Sequence, residues 1–174
     1  MTTEEKRRAR RKQSAEDFTP AWLVNQMLDK LEHYSPDIFS DPDKTFLDPA
    51  AGNGNMLIEV LKRKLKHATP LQAVSTIYGC DIFLDNAVEC RLRLLKVVGK
   101  YRKEKQTKQQ CVEIVKILAR NIVHTPLDKY PNGSLDYLSL PESQTFYGKI
   151  SDKRALQNVD TILADKLLDK LVVD

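Results

Sequence analysis

The sequence predicts an α/β fold, a parallel sheet with helices on its faces. Three observations predict it: short apolar runs of strand length, amphipathic stretches between them, and glycine- or acid-bearing turns at the strand ends. The first amphipathic stretch follows Phe18-Thr19-Pro20, with Leu23, Val24, Met27, Leu28 and Leu31 at helical spacing. Pro20 suits a first turn, where its missing N–H leaves no bond unmade. Ser35-Pro36 ends that helix, and Asp41-Pro42-Asp43 marks a further turn. Thr45-Phe46-Leu47 reads as a buried strand that runs into Asp48-Pro49-Ala50-Ala51-Gly52-Asn53-Gly54. Met56, Leu57, Val60, Leu61 and Leu65 then define a second helix.

Pro70 is expected to break the chain before a second strand, Ser75 to Cys80, that finishes at Asp81. Leu84, Val88, Leu92 and Leu95 place a third helix after it. Residues 99–110 are polar and mostly basic and read as an exposed loop or a frayed helix end. A helix from about Val112 to Ala119 precedes a third strand around Asn121 to His124. Residues 126–150 are rich in Pro and Gly and look irregular. A closing amphipathic helix is expected over about Asp152 to Leu171, either packed on the sheet or docked on another protein. The organisation that follows is a basic flexible arm (1–15), a ligand-binding domain (16–150) and a C-terminal amphipathic helix (151–174).

Composition narrows the class. Of 174 residues, 41% are apolar and 30% charged, enough for one cored domain. The first twelve residues hold Lys6, Arg7, Arg8, Arg10, Arg11 and Lys12 against Glu4 and Glu5, and account for the whole net charge of +4. Such an arm suits phosphate contact by Arg7, Arg8, Arg10, Arg11 and Lys12, or else serves as a solvated tail. Cys80, Cys90 and Cys111 show no CxxC pairing and the three histidines have no companion at ligand spacing, so no metal site is expected. With no apolar run of membrane-spanning length and no secretory leader, a reduced, cytoplasmic protein is expected.

The two unusual motifs both fall at strand carboxyl ends, where such sheets bind ligands. In Asp48 to Gly54, two glycines allow a tight turn and close approach of a ligand. Leu57 stands where a dinucleotide fold needs its third glycine, and no GxxxxGK is present, so phosphate cradling is excluded. A carboxylate at Asp48 suits a ligand bearing an ammonium; an ordinary βα turn is the plainer reading. Asp81, ending the second strand, is placed to accept ribose hydroxyls beside Ile82, or to cap the next helix.

Phe18-Thr19-Pro20, the D-P-x-x-G-x-G loop and Gly79-Cys80-Asp81-Ile82 together resemble the S-adenosylmethionine-dependent N6-adenine DNA methyltransferases of restriction–modification systems, over residues 16 to about 125. The resemblance implies a truncated Rossmann-like methyltransferase fold holding S-adenosylmethionine. It implies Thr19 and Pro20 near the methionine carboxylate, Asp48 near the amino group, and Phe18 also in the cofactor site. It further implies Pro49, Ala50, Gly52 and Gly54 along the cofactor, Asp81 and Ile82 at the adenosine, and DNA as partner. Pro126 stands where the family supplies an adenine-binding aspartate, with Asp128 two residues on. The family's N/D-P-P-Y/F motif, which grips the flipped base, has no counterpart, because none of the eight prolines are adjacent. No catalytic residue is therefore assigned. The expectation is a methyltransferase-like protein that is not catalytically complete alone. The alternatives are one subunit of a split enzyme, with another chain supplying the catalytic half, or a non-enzymatic scaffold or decoy.

Overall fold

The computed structural model describes Glu5 and residues 8–10, 18–101 and 106–124. The expected irregular region 126–150 and the closing helix lie outside the described residues, as do Arg7, Arg11 and Lys12. Helix α1 spans Ala21–Tyr34, with Pro20 in extended backbone just before its first turn. Strand β1 (Phe46–Asp48) leads into helix α2 (Asn55–Lys64). Helix α3 (Pro70–Ser75), strand β2 (Ile77–Asp81) and helix α4 (Leu84–Gly99) follow. Helix α5 (Lys108–Asn121) passes directly into strand β3 (Ile122–His124).

The three strands form one parallel sheet in the order β1-β2-β3. Parallel neighbours need long crossovers, and α2–α3 and α4–α5 provide them. Register decides the site: Asp48 pairs with Gly79, and Asp81 with His124. Directly paired residues share a face, and so do residues two apart on a strand. Asp48, Gly79 and Asp81 therefore lie on one face, at its carboxyl end.

Three elements differ from the sequence reading. The segment before β2 is a short helix, α3, because Thr69 and Gln72 form a reciprocal capping box with Pro70 in the first turn. Helix α5 starts at Lys108, inside the polar stretch, for the same reason: Thr107 and Gln110 cap it. On α1 only Val24 and Leu28 are buried, while Met27 is 46% and Leu31 37% exposed, so α2 covers one edge of a wider apolar arc. That contact is clasped by Arg63, which bonds Asp29 and Glu32 and donates to the Asn25 carbonyl.

The core gathers Leu57, Val60 and Leu61 of α2, Ile77 of β2, Leu94 of α4 and Ile114 of α5. Two buried cations stabilise chain crossings. The Lys64 ammonium donates to the Asp41 and Lys44 carbonyls, and burial lowers its pKa. Arg91 donates through Nε and Nη2 to the Ile122 carbonyl at 2.8 and 2.5 Å, tying α4 to β3.

Glycine is required at two positions in this frame. Gly79 lets α2 approach the sheet, since a Cβ there would meet Leu57 at 2.8 Å. Gly54 has a φ of +86°, and a Cβ on it would lie 2.5 Å from Cys90 Sγ. Gly54→Ala is expected to cost about 1–3 kcal/mol through overpacking and backbone strain. Thermal melting checks this. Adding Cys90→Ala should recover part of the loss, because the sulfur is removed while the φ strain remains. A melting point unchanged by Gly54→Ala would contradict the packing described.

Candidate functional site at the strand ends

The site starts with β1, which ends in a carboxylate and turns sharply. Asp48 Oδ1 accepts the Ala50 amide at 3.1 Å, an aspartate turn that bends the chain away from the sheet. Gly52 follows at a φ of +52°, and its amide crosses to β2, donating to Asp81 Oδ2 at 2.9 Å. Gly54, in left-handed backbone, then opens α2 without a side-chain cap. The first amides of α2 thus face the loop with no side-chain acceptor at the cap and with the positive end of the helix dipole behind them.

Asp81 closes the other side. It is 8% exposed, and its Oδ1 accepts the Phe83 amide at 2.8 Å and Asn86 Nδ2 at 3.2 Å. Asp81 therefore both shapes the entry to α4 and reaches across to the glycine loop. A carboxylate has roughly four acceptor sites. Among the described residues three are used, which leaves room for one further donor.

Electrostatics single out Asp48. Burial pushes its carboxyl pKa up, the Ala50 amide pulls it down, and the neighbouring Asp81 charge pushes it up again. The Cys90 thiol, buried against Gly54, is pushed up to about 12 by burial and by the Asp48 charge. It is therefore a protonated packing group, not a nucleophile.

The remaining predicted residues distribute as follows. Phe18 lies against the glycine loop, with its ring edge 3.0 Å from where a Cβ on Gly52 would stand. Thr19 is fixed through its carbonyl, which accepts from Asn55 Nδ2 at 2.8 Å, so the Phe18-Thr19-Pro20 segment is tied to the first residue of α2. The Pro49 carbonyl accepts from the Cys80 thiol at 3.1 Å, locking loop to strand. Ala50 is exposed, and Ile82 is half-buried with its carbonyl 3.2 Å from His124 Nε2. At Gly54 the missing Cβ makes room for Cys90.

Of the basic arm, residues 8–10 are helical, and Arg8 is exposed. Arg10 pairs with Asp85 at 3.0 Å and lies 4.0 Å from the Phe83 ring centroid. Burial would push the Asp85 carboxyl up, but the Arg10 guanidinium holds it below the usual range. One expected phosphate contact is thus engaged at the start of α4.

Sequence reasoning missed Asn53 and Asn86. Asn86 is 2% exposed and orients Asp81. Asn53 is pinned from α4 by Glu89 and by Arg93, which donates to its carbonyl at 2.8 Å, and its Oδ1 is buried without a partner. Nothing in the one-dimensional pattern distinguishes these asparagines from ordinary turn and helix residues.

Among the described residues no helix is long and apolar enough to cross a membrane, and no His/Cys/Asp/Glu group is arranged to hold a metal. The three cysteines are buried and form no disulfide. No protein-family model, curated protein or solved structure matches the chain.

The Asp48 charge has a consequence for stability. Its folded pKa is raised above the ordinary 3.8, so the native state holds this proton more tightly than the unfolded chain does. The associated stability is fully present below the ordinary value and is lost as pH rises through the raised one. Asp48→Asn keeps the acceptor for Ala50 and removes the charge. Urea midpoints should show the variant gaining on the wild type across that titration and levelling off above it. A stability difference that is constant with pH would contradict the placement of Asp48.

Proposed function

We propose that the strand-end site binds S-adenosylmethionine, and that the chain is an adenine-N6 DNA methyltransferase-like protein. The observation that carries this reading is Asp48: a half-buried carboxylate, next to a second carboxylate, with no cation paired to it among the described residues. A ligand ammonium beside it would relieve both the desolvation and the repulsion. The rest of the ligand matches the remaining groups. Its carboxylate suits the uncapped start of α2 and the adjoining Thr19 segment. The open acceptor position on Asp81 suits one ribose hydroxyl, with Ile82 beside it for the adenine. Phe18 would wall the loop. When bound, the ligand supplies an electrophilic methyl group, while the residues of this chain hold and orient it.

The base-gripping half of the reaction is not among these residues, since the 174 residues contain no N/D-P-P-Y/F motif. A second reading, a divided enzyme, is favoured by the sheet. Among the described residues β1 pairs only with β2, and Leu47 is 37% exposed. In the doubly wound strand order 3-2-1-4 a fourth strand pairs with that open side of β1. In the resembled family the catalytic motif follows the fourth strand, so a second chain carrying both would complete the site.

Calorimetric titration with S-adenosylmethionine and with S-adenosylhomocysteine tests the proposal. Both should bind, and Asp48→Asn should weaken each by about tenfold or more, the loss of one charge-assisted bond. No heat with either ligand would leave only a scaffold role.

A further inference from the structure

A second charged feature lies away from the strand ends. Helices α2 and α4 pack side by side, and between their carboxyl-terminal halves runs an open groove of about 520 Å³. Its floor is apolar, formed by Ile58, Leu65 and Val97, with Tyr101 at one end. Its walls are cationic: Lys62 and Lys66 on one side, and Arg93, Lys96 and Lys100 on the other. Among the described residues none of the lining side chains is acidic, and at the rim Glu59 holds Lys62 at 2.6 Å.

Helix dipoles explain part of this, because cations stabilise the last turn of a helix. They do not explain the rest. Arg63 and Lys64, in the same last turn of α2, turn to carboxylates and carbonyls outside the groove. Lys62 and Arg93 are held at the groove by Glu59 and by the Asn53 carbonyl, and with Lys66, Lys96 and Lys100 they surround one concave surface. Lys62 and Lys66, the latter just past the end of α2, are four positions apart, and Arg93, Lys96 and Lys100, the last capping α4, follow at steps of three and four, about 4.5 and 6 Å at the helical rise. Each wall therefore offers positive charge at regular intervals, which suits a polymer of evenly spaced anions better than a single ion. Lys100 and Tyr101 also belong to the basic stretch 99–110, which no part of the strand-end site uses.

We infer that this groove binds the phosphodiester backbone of a nucleic acid. It is separate from the basic arm, and it stands whether or not the strand-end site takes S-adenosylmethionine. Lys62 lies roughly 10 Å along α2 from the glycine loop and Lys100 roughly 24 Å along α4 from its start, at a rise of 1.5 Å per residue. The groove begins at Arg93, which donates to the Asn53 carbonyl of the glycine loop, and runs away from that loop toward Lys100. A backbone held along it gains sequence-independent affinity.

The test is fluorescence anisotropy of the full chain with a labelled 20-nucleotide strand and its duplex over a salt series, with poly-glutamate as a second probe. Lys96→Glu/Lys100→Glu is compared with Lys30→Glu/Lys116→Glu, which makes the same change in net charge on α1 and α5. Melting curves establish that both are folded, and Lys96→Gln/Lys100→Gln provides a milder version. The groove variant should bind on the order of tenfold or more weakly, with the salt slope smaller by about 2, while the control stays near wild type. Equal loss in both charge-reversal variants, or none in the groove variant, overturns the inference. Poly-glutamate binding as tightly as nucleic acid, with the same dependence on Lys96 and Lys100, would also overturn it by making the groove a site for acidic protein.

Discussion

Parallel pairing of β1 with β2 in the register that sets Asp48 beside Gly79 is the constraint on which the strand-end site depends. It brings two carboxylates, 33 positions apart in sequence, onto one face at the carboxyl end of the sheet. A slip of one residue would turn one of them to the opposite face. Gly79 supports this register by letting Leu57 seat against the sheet, and the Gly52 amide by bridging to Asp81. Among the described residues Asp81 is answered by three donors, whereas Asp48 accepts from the Ala50 amide alone. That asymmetry makes Asp48 a residue whose charge opposes folding.

Much of this was legible in the chain because the strand ends carry their own punctuation. Asp48-Pro49 and Gly52-x-Gly54 announce the first turn, and Asp81 the second, so the order of elements and the position of the site follow from local pattern. Helix α3 was not legible because six residues are too few to show a period, and Pro70 marks a helix start as readily as a break. The start of α5 was hidden in a polar run whose Thr107 and Gln110 look like any solvated pair until the capping box is seen.

Long-range packing accounts for the rest. Cys90 sits 36 positions from Gly54, and only the seating of α4 shows that this glycine makes room for a thiol. The groove cations are similarly scattered across two helices, and each alone reads as a solvated residue. They become one surface through the α2–α4 contact. Arg93 joins the two features, lining the groove while donating to the Asn53 carbonyl inside the glycine loop.

Carbon-13 NMR titration of the Asp48 side-chain carboxyl, with and without saturating S-adenosylhomocysteine, tests most directly whether this carboxylate receives the ligand ammonium. Asp48 should titrate above the ordinary aspartate value in the free protein and shift clearly downward when the ammonium is in place. A titration midpoint that the ligand leaves unmoved would contradict this assignment.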